Sequence, residues 1–168
     1  MSISISAIVA GVVFFALPLF LSCRQAGEKQ QEKMLEKVVE QGSGEKADVN
    51  IEDQNVTIET ESGNVQINTS EGSWPAEAPS DVPELNAGKI IGTTISDLDE
   101  GKNWSIRYSG VGIEELDKYG ATLKSKGFKI HTMKTPKGGM VNGEKGNIQV
   151  MFTVSDKISI VGISVAKE

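Results

Sequence analysis

The sequence predicts an α+β protein: an N-terminal signal segment and charged helix, a short β-meander, then an antiparallel sheet with one covering helix, approximately ββαβββ. Three observations carry this reading. A V-x-I unit recurs at Val49–Ile51, Val56–Ile58 and Val65–Ile67, and Ile148, Val150, Phe152 and Val154 alternate with polar neighbours or methionine, which is the period of a strand with one buried face. Between such runs lies a single strong helical stretch, from Gly112 to Lys126. Turn residues separate the runs throughout, so the strands are short and antiparallel.

Before any strand comes an almost uncharged apolar run from Ile3 to Cys23, with Gly11 and Pro18 inside it. Its continuously apolar part, Ala7 to Leu21, is short for the roughly 20 residues of a spanning helix and suits a signal-peptide core. Pro18 ends helical structure, leaving the following residues extended for a peptidase. The run stops at Phe20-Leu21-Ser22-Cys23, where the sole cysteine of the chain precedes Arg24, the first charged side chain.

These residues resemble the lipobox of bacterial lipoproteins, in which a small residue precedes a cysteine that is acylated and becomes the mature N-terminus. Ser22 and Cys23 match that pattern residue for residue. The resemblance implies a signal peptide over residues 1–22, lipidation with palmitate-type chains at Cys23, and a body held on the extracytoplasmic side of an envelope membrane. An uncleaved N-terminal anchor is the competing reading. Each buried methylene contributes about 0.8 kcal/mol, so two or three acyl chains make attachment effectively permanent.

The charges all lie after the anchor, and their net is −6, which repels nucleic acid and anionic lipid. With one cysteine no internal disulfide is possible, and packing alone must stabilise the body. Residues 23–44 form a helical spacer: Lys29, Lys33 and Lys37 each have a glutamate three residues later, and the apolar stripe is only Met34, Leu35, Val38 and Val39. The spacer would lift the body about 20 Å, while the stripe alternatively serves a partner or a second copy.

Residues 45–71 give a three-stranded β region. Its outward row of Glu52, Thr57, Glu59 and Asn68 is a solvated strand face or, alternatively, a surface for a cation or sugar. Residues 72–86, with Pro75, Pro79 and Pro83 four apart, read as an extended connector without a packed core, and Trp74 as the residue that packs on a neighbouring unit.

Residues 87–168 make the α+β domain. Strands are expected over residues 89–96, 104–108, 128–135, 147–155 and 158–166, with a possible further strand at 140–144, and a bulge near Val161 or Gly162 where the apolar register switches. The order Trp74-Pro75, Pro83, Gly88-Lys89-Ile90, Trp104-Ser105-Ile106, Tyr119, Leu123, Lys126-Gly127-Phe128 and a closing Ile-x-Val strand resembles a small domain of unknown function found in bacterial lipoproteins. That resemblance implies a fold and an envelope address, and no chemistry.

Chemical candidates are few. His131 is the only histidine, on an expected strand, so neither a zinc site nor a serine nucleophile has its usual partners. The glycines of Lys137–Gly146 lack the Lys-Ser/Thr ending of a phosphate loop and read as hairpin turns. Asp97, Asp99 and Glu100, in an expected loop from Asp97 to Asn103, are the most site-like carboxylates. Carboxylates two apart can share calcium, yet the later bidentate glutamate of an EF-hand is missing. The expected function is a noncatalytic envelope lipoprotein that binds an envelope protein or polysaccharide, without cofactor. The alternative is an envelope enzyme or calcium-dependent binder using Asp97, Asp99 and Glu100.

Overall fold

The computed structural model describes residues 28–155 and 158–167; the signal segment, the lipobox-like residues and Cys23 lie outside the described residues. Helix α1 (Glu28–Ser43) comes first, then strands β1 (Ala47–Glu52), β2 (Asn55–Thr60) and β3 (Gly63–Asn68). After the proline-rich segment follow β4 (Lys89–Leu98), β5 (Gly101–Ser109), helix α2 (Glu115–Ser125), β6 (Lys129–Thr135), β7 (Gly138–Lys145), β8 (Ile148–Ser155) and β9 (Ser159–Ala166). All nine strands join one antiparallel sheet in the order β1-β2-β3-β4-β5-β9-β8-β7-β6.

The sheet differs from expectation in two respects. The meander is not a separate unit, because β3 pairs with β4 from Gly63 opposite Leu98 to Asn68 opposite Thr93. Four strands follow α2 instead of three, so ββαβββ becomes ββαββββ, and α1 makes a second covering helix. The added strand is β7, which contains the possible further strand at residues 140–144 and extends it through glycines that read as hairpin turns. A Cβ at Gly139 would lie 2.8 Å from Leu116 Cδ1, and one at Gly143 would lie 3.4 Å from Leu123 Cδ1. With Val141 between them, these glycines let α2 approach the sheet closely, a packing role that costs strand propensity.

The sheet buries opposite faces in its two halves. Val49, Ile58 and Val65 are successive cross-strand partners, and the same ladder face continues through Ile51, Val56 and Ile67. On this front face Leu35 and Val39 of α1 pack, together with Leu98, into one core. The expected spacer is therefore part of the folded body: Leu35 and Val39 are 6% and 3% exposed, although Met34 remains outside at 53%. From β5 onward the apolar residues stand on the back face instead. Trp104, Ile106 and Tyr108 join Val161, Ile163, Val150, Phe152 and Val141 beneath α2, whose Leu116, Tyr119 and Leu123 complete the core.

Strand β4 carries the changeover. Its Leu98 enters the front core, whereas Ile90 and Ile95 face the back core. A bulge occurs here, between Ile90 and Gly92, and not in β9. Strand β9 holds uninterrupted register against both β5 and β8, so Ile160 simply stands on the outward face and no bulge at Val161 or Gly162 is needed.

The proline-rich segment also differs from the open connector. Val82 and Leu85 are buried in the back core, with Trp74, Ala78 and Ala87 packed against it. Turns hold the segment down, with Ala78 N–H donating to Pro75 O at 3.1 Å and Val82 N–H to Pro79 O at 2.9 Å. It acts as a strap over the part of the back face that α2 leaves uncovered.

Candidate functional site

V-x-I alternation that sends valine and isoleucine to the front core leaves polar side chains on the back of β1–β3, where no helix of the described residues lies. A trough of about 340 Å³ opens there, lined by Asp48, Asn50, Glu52, Asn55, Thr57 and Glu59. Register sets its geometry: Asp48 stands opposite Glu59, Asn50 opposite Thr57, and Glu52 opposite Asn55. Asp48 and Glu59 place like charges directly across from each other, an arrangement that disfavours the sheet and favours a cationic or strongly hydrogen-bonding visitor.

Of the outward residues expected from sequence, Glu52, Thr57 and Glu59 line the trough. Asn68 does not. Its amide donates to Asn55 Oδ1 at 2.7 Å, and its own carbonyl accepts from Ser70 N–H at 2.8 Å. Asp48, Asn50 and Asn55 were missed, although period two from Val49 and Val56 already assigns them to the same side. The chemistry on offer is recognition through carboxylates, amides and one hydroxyl. Thr57 has Asn50 and Gln66 as ladder neighbours, neither of which is a base that could activate it.

The acidic candidates are arranged otherwise than a cation loop requires. The expected loop from Asp97 to Asn103 shrinks to a tight β4–β5 hairpin turn at Asp99-Glu100, because β4 runs to Leu98 and β5 starts at Gly101. Asp97 is thus a strand residue whose carboxylate faces Lys167 Nζ at 3.2 Å and Lys102 Nζ at 4.0 Å. Lys102 also pairs with Glu77, and Lys167 Nζ donates to Leu98 O at 2.8 Å. Asp99 N–H donates to Ser62 O at 3.0 Å, and Glu100 O accepts from Lys167 N–H at 3.2 Å. Among the described residues, no three His, Cys, Asp or Glu side chains are placed to hold one metal ion.

His131 stands exposed on the front face of β6 opposite Asn142, far in the sheet order from either carboxylate group. Two buried donors lack a partner among the described residues: Trp104 Nε1 and the Tyr108 hydroxyl, both on β5. Burial, and secondarily the negative charge of Glu84, raises the Tyr108 hydroxyl above its ordinary value. Tyr119 is raised mainly by burial as well, and its hydroxyl donates to Pro83 O at 2.9 Å. Among the described residues no helix is long and apolar enough to cross a membrane.

No family model and no curated protein matches the chain. Among solved structures it is similar to a GTP-binding regulator from Thermotoga maritima, at 11% identity and a TM-score of 0.36, over 49% of this chain and 58% of that one. The chain thus spans somewhat over half the length of that structure, and a likeness of this size carries no functional argument.

Proposed function

We propose that this chain is a membrane-anchored envelope lipoprotein whose folded body is a noncatalytic binding module. The observation that carries the reading is the apolar run that ends at Ser22-Cys23 directly before the first charge of the chain. The folded body supports it by its closeness to that cysteine. Helix α1 begins at Glu28 and packs on the sheet, so only four residues separate Cys23 from it, a contour of at most roughly 17 Å. An acylated Cys23 would hold the body against the bilayer surface.

Binding, in this reading, uses the polar back of β1–β3. Its trough presents oxygen and amide groups suited to a hydroxyl-rich or cationic part of an envelope component. Replacing Cys23 with alanine tests the anchor: the variant should accumulate as unprocessed, unacylated precursor when the wild type takes up labelled palmitate. Normal processing of Cys23→Ala would refute it. For the trough, adding soluble envelope polysaccharide to the full chain should raise its melting temperature, and Thr57→Lys should abolish the shift.

A further inference from the structure

The two outer strands of the sheet are treated differently. Along β1 the edge is closed by α1: Ile51 N–H donates to Glu32 Oε1 at 3.1 Å and Ala47 N–H to Glu40 Oε1 at 3.4 Å. At the other end β6 is the last strand, six of its seven residues are exposed, and nothing among the described residues covers its edge in this way. An uncovered strand edge is a row of backbone donors and acceptors able to pair with another extended chain.

Charge around β6 departs sharply from the rest of this acidic protein. Between Asp117 and Glu144 the chain has no carboxylate, and it carries Lys118, Lys124, Lys126, Lys129, Lys134 and Lys137. Lys118 and Lys134 are paired with Glu115 and Asp117 of α2, and Lys129 stands opposite Glu144. Lys124, Lys126 and Lys137 have no such partner among the described residues and are exposed. The same lysines oppose pairing between two copies of β6 and favour a negatively charged strand.

Beside this edge the front face carries a short methionine-rich patch, next to His131 and Asn142. Met133 lies opposite Met140, which is followed across the sheet by Thr153 and Ile160, while Met151 occupies the adjoining row. Met133 and Met151 are 53% and 46% exposed, and neither of these rows contains a carboxylate. Flexible thioethers of this kind accommodate varied apolar side chains.

We infer that the β6 edge is a docking site for an extended, acidic peptide segment of a partner protein, added to the sheet as a tenth strand. Backbone pairing along β6 supplies the register, the lysines select carboxylates, and alternate apolar side chains lie next to Met133. The site is separate from the polar trough and does not depend on how the chain is attached to a membrane.

The test uses the detergent-solubilised full chain and a synthetic capped peptide of alternating glutamate and valine, read by fluorescence anisotropy and by amide exchange. Binding should weaken with added salt and slow exchange across β6 without slowing it at β1. Methylating alternate peptide nitrogens of the ligand should abolish it, as should the double variant Lys129→Glu, Lys137→Glu, whose fold is checked by circular dichroism. Equal binding of the methylated peptide, or of a lysine–valine peptide, would overturn the proposal. So would protection of β6 by phosphatidylglycerol vesicles with none by the peptide, which would assign the edge to a lipid surface. Concentration-dependent protection of β6 without peptide would assign it to a second copy and equally exclude the proposed occupant.

Discussion

The backbone N–H of Ile51 donates to the Glu32 carboxylate at 3.1 Å, joining a helix to the edge strand nineteen residues later in the chain. That bond, with Leu35 and Val39 buried beneath it, makes α1 a structural lid on the meander. Leu35→Ala should therefore destabilise the protein by about 2–3 kcal/mol in urea unfolding, the usual cost of truncating a buried leucine. An independent spacer would leave the unfolding midpoint unchanged.

Close approach of α2 to β7 gives a second expectation. A Cβ at Gly139 would lie 2.5 Å from Met133 O and 2.8 Å from Leu116 Cδ1. Gly139→Ala should cost about 1–3 kcal/mol by overpacking, and Gly139→Ala combined with Leu116→Ala should cost less than the sum of the two separate losses. Additive losses in a double-mutant cycle would show that the two residues do not compete for space.

One hydroxyl of α2 ties the strap to the helix. Tyr119→Phe removes its bond to Pro83 O and should cost about 1 kcal/mol, whereas Tyr108→Phe removes a buried hydroxyl without a partner among the described residues and should cost less or stabilise. Both hydroxyls are raised above the ordinary value of 10.0, chiefly by burial. Their contribution is complete below pH 10 and is lost as pH rises beyond it, because the unfolded chain ionises first. Chemical unfolding as a function of pH should show wild-type stability falling above pH 10, more steeply than in the double phenylalanine variant.

Glu45 gives the acid-side counterpart. Hydrogen bonding from the Ser62 hydroxyl, and then from the Ser62 N–H at 3.2 Å, holds its carboxyl below the ordinary 4.5. A lowered value means stability present above pH 4.5 and lost as pH falls through the folded-state value. Glu45→Gln should accordingly be less stable than wild type at neutral pH, with the two unfolding curves converging under acid.

Much of this architecture was legible in the sequence because period two and period 3.6 leave clear marks. The three V-x-I strands, the helix carrying Leu116, Tyr119 and Leu123, and the alternation of β8 all come from local pattern. What the pattern hides is long-range. Val49 and Trp104 are both inward in their own strands, yet they stand on opposite faces of one sheet, a fact fixed only by the β3–β4 pairing. Gly139 and Gly143 look like turn residues until Leu116 and Leu123 are seen above them. For the polar trough, period two marks the polar side of β1 and β2, whereas the pairing of Asp48 with Glu59, Asn50 with Thr57 and Glu52 with Asn55 required the register. Asp97 looked like a loop ligand because Lys167, its nearest cation, lies far along the chain.

Intact-mass measurement of the protein purified from its native host tests the central claim most directly. The account predicts a polypeptide beginning at Cys23 and heavier than the bare chain by its acyl groups. A mass corresponding to the unmodified chain, with Met1 retained and a free thiol at Cys23, would contradict it.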